Sequence, residues 1–188
     1  MRRVLRASVL AVSSVAGVLV SSGCLVSSLH PVYDADSIVF DEALIGAWEH
    51  RETEVRVDVA RGEWRSYDIS YTDRFGTSRY TGHLTTIAAA RFLNILPEEG
   101  LEKPPFVVAT NGFMQVEAAG ATLRVREPDY AAVLSRVRIG KLGLASAVDV
   151  KQNVLITAPS ATMRKWLAAA VKDARLWTEW KVLTRTVQ

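Results

Sequence analysis

Glu54-Val55-Arg56-Val57-Asp58-Val59 alternates without a fault, with three valines on one side of an extended chain and three charged residues on the other. Successive side chains of a strand point to opposite faces, so this run is a strand with one buried and one solvated face. The same period continues both ways. Upstream, Ala47-Trp48-Glu49-His50 enters it. Downstream, Tyr67, Ile69 and Tyr71 alternate with Ser66, Asp68 and Ser70, and Arg74-Phe75-Gly76 makes a turn. Residues 77–88 then carry Tyr80, Leu84 and Thr86 on one face, where Gly82 marks a bend or a close approach. Phe92-Leu93-Asn94-Ile95-Leu96 is short and apolar, and 97–105 reads as a loop holding Glu98, Glu99 and Glu102. Three further strands are expected at 106–109, 113–117 and 122–126. Asn111-Gly112 has the chemistry of a tight hairpin turn between the first two. About eight short strands with local links give an antiparallel meander, closed into a small barrel or left as a half barrel.

Helical spacing begins only after this. Pro128 opens a helix whose Tyr130, Val133, Leu134 and Val137 share a face, and Gly140 ends it. Residues 142–150 fit no single period, and 153–157 read as a strand. Ser160 caps a second helix with an apolar stripe of Met163, Trp166, Leu167, Ala170 and Val171, and 180–187 reads as a last strand. Trp166, Trp177 and Trp180 are expected to anchor this end over the sheet. The fold class is mainly β, with α+β character at the C-terminus where helices pack on the meander.

The chain opens with Arg2, Arg3 and Arg6, then an uncharged run over 7–20, then Ser21-Ser22-Gly23-Cys24. This is the positive, apolar and small-residue order of a secretory leader, and the run is too short to span a bilayer comfortably. The 188 residues hold 23 basic and 20 acidic side chains. A leader over 1–23 takes three arginines and no acid with it, leaving 20 of each, so the positive charge belongs to the leader and no basic arm for nucleic acid remains. Cys24 is the single cysteine, so the exported domain is held by its core rather than by disulfides. Residues 24–40 read as an anchor and tether, and 41–188 as one domain, with Asp41 capping a turn that Gly46 stops.

Catalytic chemistry finds no foothold. No Gly-x-Ser-x-Gly elbow, glycine-rich phosphate loop or paired metal-spaced histidines occur, and His30, His50 and His83 stand apart. No catalytic residue, metal ligand or cofactor is therefore expected. The aromatic residues are more telling. Tyr67, Tyr71 and Tyr80 repeat on one face of neighbouring strands, with Trp48 at the entry. They line a ligand cavity or fill a core, and tyrosine suits a cavity because it joins apolar area to a hydroxyl.

Small residues before Cys24 resemble the lipobox of bacterial lipoproteins. That resemblance implies cleavage before Cys24, diacylglycerol on its sulfur and acylation of the new amine, hence an anchor of acyl chains such as palmitate. Leu29-His30-Pro31-x-Tyr33, then Asp36-x-Ile38-Val39-Phe40-Asp41-x-x-Leu44-x-Gly46-x-Trp48, resemble a set of uncharacterised bacterial lipoproteins. Phe92-Leu93-Asn94-Ile95-Leu96-Pro97-Glu98, Pro128-Asp129-Tyr130 and Val154-Leu155-Ile156-Thr157 fit the same pattern. Gly46-x-Trp48 also resembles the opening of lipocalins, where it closes the floor of an eight-stranded barrel around a hydrophobic ligand. Leu25 is not the aspartate that resembles an inner-membrane retention signal, so the outer membrane, facing the periplasm, is the expected site. The expectation is a non-enzymatic, membrane-anchored envelope lipoprotein with a lipocalin-like barrel taking a small apolar ligand or lipid. The alternatives are an envelope protein-interaction factor with a filled core and, last, an envelope hydrolase.

Overall fold

A computed structural model describes residues 25–98 and 108–186. The leader, Cys24, the loop acids Glu99 and Glu102, and half of the strand expected at 106–109 lie outside the described residues. In chain order the strands are β1 Val26–Ser28, β2 Ile38–Val39, β3 Gly46–His50, β4 Arg56–Arg61, β5 Ser66–Asp73, β6 Gly76–Ile87, β7 Ala90–Pro97, β8 Gly112–Ala119 and β9 Thr122–Arg126. Then come α1 Tyr130–Arg138, β10 Ser146–Val148, β11 Val154–Ile156, α2 Ser160–Ala170 and β12 Lys181–Arg185.

Strands β3 to β9 form the expected meander, each antiparallel to the next, and β12 inserts between β3 and β9 to close an eight-stranded barrel. Closure is visible in the register, where Arg185 faces Trp48 and Leu183 faces Leu123. The short β2 is an extra strand. It pairs with Leu84 and Thr85 of β6, just beyond the point where β5 stops at Ser66 opposite His83. Cross-strand partners share a face, so Val57 with Tyr71, Val59 with Ile69, and Ile69 with Tyr80 point inward together. Gly82 is the close approach that its place in the strand suggests. A Cβ there would meet Ile69 Cδ1 at 2.6 Å.

A second layer covers the outside of the wall. It consists of a three-stranded sheet, β1-β11-β10, with α1 and α2. Strand β1 runs parallel to β11, with Val26 opposite Val154. Ile87, Phe92 and Phe113 from the outer barrel face pack with Val26, Val32, Leu134, Val154, Ile156, Met163, Leu167 and Trp177. Trp177 meets Phe92 with ring centroids 5.8 Å apart and donates Nε1–H to the carbonyl of Ala170. Trp166 donates to Leu142, and Arg124 and Arg126 stack over Trp180.

Three local readings change. The segment read as a tether is folded in, since β1 is buried, Val32 is fully enclosed and Ile38 pairs in the sheet. Its strands are two and three residues long, too short for a period to emerge. Asn111-Gly112 is no hairpin turn. Gly112 begins β8, and Asn111 forms a bridge to Ser28 while its side chain accepts from Asn94 Nδ2 at 3.0 Å. The tight turn of this region is instead Ala88-Ala89 between β6 and β7, both with positive φ (47° and 65°). Ser160 is the first residue of α2 rather than its cap, whereas Asp129 caps α1 by accepting from the amide of Ala132 at 2.8 Å.

Candidate functional site

The two ends of the barrel differ. At the end where the chain enters, residues 40–48 build a floor. Asp41 caps the 3-10 turn Glu42–Leu44 by accepting from the amide of Ala43, and Arg91 pairs with its carboxylate. These contacts hold the Asp41 carboxyl below the usual carboxylate range, the amide of Ala43 contributing most. Trp48 is fully buried and donates Nε1–H to the carbonyl of Leu44 at 2.9 Å. Arg185 lies over its ring at 4.2 Å and donates to the carbonyls of Ile45 and Ala43. Gly46 has a φ of 144°, a conformation that other residues rarely adopt, and it lies against the Arg185 guanidinium, which a Cβ there would have to displace. Tyr67 is also fully buried. Its hydroxyl accepts from the amide of Asp41 at 2.7 Å, and its ring stacks on Phe40 at 4.8 Å. Burial is the main reason its pKa is raised.

The other end is less fully buried. The inward side chains there, Val57, Tyr71, Tyr80, Ile95, Met114 and Val125, are all only half-buried. Lys181, paired across the strands with Val125, reaches Glu127 Oε1 at 3.2 Å on the same rim. The Tyr71 hydroxyl is pushed up by burial first, then by the negative charges of Asp73 and Glu127 and by Tyr80. Half-buried apolar side chains, one ion pair and two phenols are the chemistry that this end, the throat, presents.

The four aromatic residues singled out in the sequence therefore separate. Trp48 and Tyr67 belong to the floor, with their polar atoms already bonded to backbone. Tyr71 and Tyr80 belong to the throat. Sequence reasoning missed Glu127 and Lys181, which lie 54 residues apart and meet only because β12 inserts beside β9. It missed Met114 and Ile95 as throat residues because apolar strand residues look alike until the register is known. Two hollows elsewhere, of about 300 Å³ around Leu142–Ser146 and about 200 Å³ at the β3–β4 hairpin, touch none of the four aromatics.

The histidines do other things. His83 packs its ring on Tyr33 with centroids 4.8 Å apart, and His50 Nδ1 accepts from the amide of Glu52. Among the described residues no three His, Cys, Asp or Glu side chains gather at metal-binding spacing, and no helix is long and apolar enough to cross a membrane. No family model matches the chain, and neither a curated protein nor a solved structure matches it.

Proposed function

We propose that this chain is a lipid-anchored bacterial envelope protein, held by acyl chains on Cys24, whose barrel takes a small apolar ligand or lipid without catalysing its conversion. The observation that carries this reading is the contrast between the barrel ends. Trp48 and Tyr67 seal one end with every polar atom used, while six inward apolar or aromatic side chains at the other remain half-buried. Tyr71 and Tyr80 are the recognition residues, and the Glu127–Lys181 pair offers a polar handle at the rim. The outer membrane, facing the periplasm, is the proposed location, resting on the leader layout and on Leu25 after Cys24.

The test is native mass spectrometry of the protein extracted from its own membranes, followed by titration with an apolar fluorescent dye. A co-purifying small molecule, and dye binding that weakens by about tenfold or more in Tyr80→Ala, support the reading. Absence of both a bound molecule and dye binding sinks it. A second reading, docking of an envelope protein partner, draws on Phe75, which is 72% exposed at the β5–β6 turn on the throat side. Dye binding that survives Tyr80→Ala but disappears in Phe75→Ala would favour that surface over the throat.

A further inference from the structure

The described fold is already packed at Leu25, the residue after Cys24. Leu25 already has both backbone groups engaged. Its amide donates to Asn153 Oδ1 at 3.0 Å, and its carbonyl accepts from the amide of Val154 at 2.9 Å. The next residue, Val26, is 8% exposed and paired with Val154 in the three-stranded sheet. Leu25 is therefore held at this sheet edge, and Cys24 is the residue before it in the sequence.

That edge presents an unusual tip. Between β10 and β11 the chain turns through Asp149-Val150-Lys151-Gln152. The turn is braced from inside. Gln152 donates its amide to the carbonyl of Asp149 at 2.9 Å, and Asp149 accepts from Asn153 through both carboxylate oxygens. Gln152 in turn accepts from the Tyr130 hydroxyl at 2.9 Å and from Arg138 at 2.6 Å. On this fixed tip Val150 is 97% exposed, and Leu25 beside it is 57% exposed. Ile139, the residue after Arg138, is 61% exposed. Lys151 is exposed at the tip, and Lys141 is exposed just past the end of α1. Lone exposed apolar residues are ordinary on protein surfaces. These are set apart by their position next to the residue that would carry the acyl chains, and by the cations among them.

We propose that the β10–β11 tip, with Leu25, is the face the protein lays on an anionic bilayer. The occupant of this surface is the membrane itself. The proposal rests on the acylation of Cys24 argued above, because the acyl chains bring the tip to the lipid. With Leu25 held at the sheet edge, the domain sits flush on the bilayer instead of swinging on a tether. Val150 and Leu25 enter the interface, and Lys151, Arg138 and Lys141 lie at headgroup level, where basic side chains near anionic lipid are favoured. The one acid of the tip, Asp149, has its oxygens turned to Asn153.

The experiment separates this surface from the anchor it depends on. The chain from Cys24 to Gln188, containing every described residue and a single thiol, is joined through Cys24 to a maleimide lipid in vesicles of phosphatidylcholine and phosphatidylglycerol. Each lysine is then acetylated with a water-soluble reagent, and modification is read residue by residue by mass spectrometry against the same chain free in solution. Several-fold protection of Lys151 on vesicles, with Lys181 in the barrel wall unchanged, is the expected result. Substitution Val150→Asp should reduce that protection. Equal labelling of Lys151 in the free and attached chains overturns the proposal. The native anchor has its own readout, in that Cys24→Ser should release the protein from cell membranes. If it stays bound, the acylation reading fails, while the coupled chain still decides whether the tip faces lipid.

Discussion

The barrel floor and the core between the barrel wall and its outer layer are assembled differently. The floor is built largely from near neighbours. Leu44, Trp48, Val59 and Tyr67 fall within 24 residues, and Trp48 and Tyr67 bond their polar atoms to backbone 4 and 26 residues away. The outer core joins the two ends of the domain. Val26 meets Val154, Arg164 donates to the carbonyl of Val32 across 132 residues, and Asn111 bonds the carbonyl of Ser28 across 83. The floor is rich in aromatic rings, with Arg61 over Phe40 and Arg185 over Trp48. The outer core is mainly aliphatic and encloses amides, with Asn94 fully buried and Asn111 and Gln115 nearly so. The contrast teaches that the meander and much of the floor form from local contacts, while closure by β12 and attachment of the second layer both wait for contacts of long sequence separation.

The largest break in this comparison comes from Trp48→Ala. It removes the largest fully buried side chain and leaves Arg185 without its ring, so it should cost about 3–5 kcal/mol. Denaturant unfolding checks the value. Leu167→Ala, on the outer side, should cost about 2–5 kcal/mol by the same mechanism. If the two regions form one cooperative unit, each variant shows a single transition by tryptophan fluorescence and by circular dichroism. Separate transitions for Leu167→Ala alone would show that the layer unfolds from an intact barrel.

A smaller effect isolates the polar part of the outer core. Asn111→Ala removes the acceptor of Asn94 Nδ2 and the donor to Ser28 and Leu29, leaving enclosed groups without partners. The expected cost is about 1–3 kcal/mol, well beyond that of a surface asparagine. Hydrogen exchange should localise the loss to β1 and the start of β8, while the floor amides stay protected. Loss of protection at Trp48 and Tyr67 instead would mean that the floor depends on the outer layer.

The same contrast explains what could be read from the sequence. Alternation at 54–59, 66–71 and 77–88 marks the meander because each strand has one inward face and tight links. The outer layer was half legible. The stripes of α1 and α2 stand out, but β1 and β2 are too short to carry a period, so 25–40 reads as a tether. Turn chemistry misled in both directions. Asn111-Gly112 has the residues of a tight turn, yet Asn111 serves as a buried bridge, while Ala88-Ala89 makes a turn with no glycine or asparagine to announce it. For the site, the face shared by Tyr67, Tyr71 and Tyr80 was readable. Its division into floor and throat was not, because that depends on which strand end the turn at 42–44 covers.

The smallest expected effect is a pH dependence lodged where the outer layer meets the wall. His83 lies on the outer face of β6, opposite Ser66 and Asn94 in the register, with Tyr33 against its ring. Burial holds its pKa below the ordinary value of about 6.5. Tyr33 does not compete in this range, since burial pushes its hydroxyl upward. The folded state therefore favours neutral His83, and below about pH 6.5 the unfolded chain binds the proton more readily. Stability tied to this group is complete above the unfolded value and is lost as pH falls through the lower folded one. Unfolding free energies measured from about pH 7.5 down to about pH 5 should decline less steeply in His83→Gln than in the parent chain. The decline should reach the outer layer first, because the ring that charges is clamped by Tyr33, from the segment that joins the two cores. Equal slopes in the two proteins would remove His83 as a contributor and leave the interface between the barrel wall and the 29–37 segment indifferent to acid.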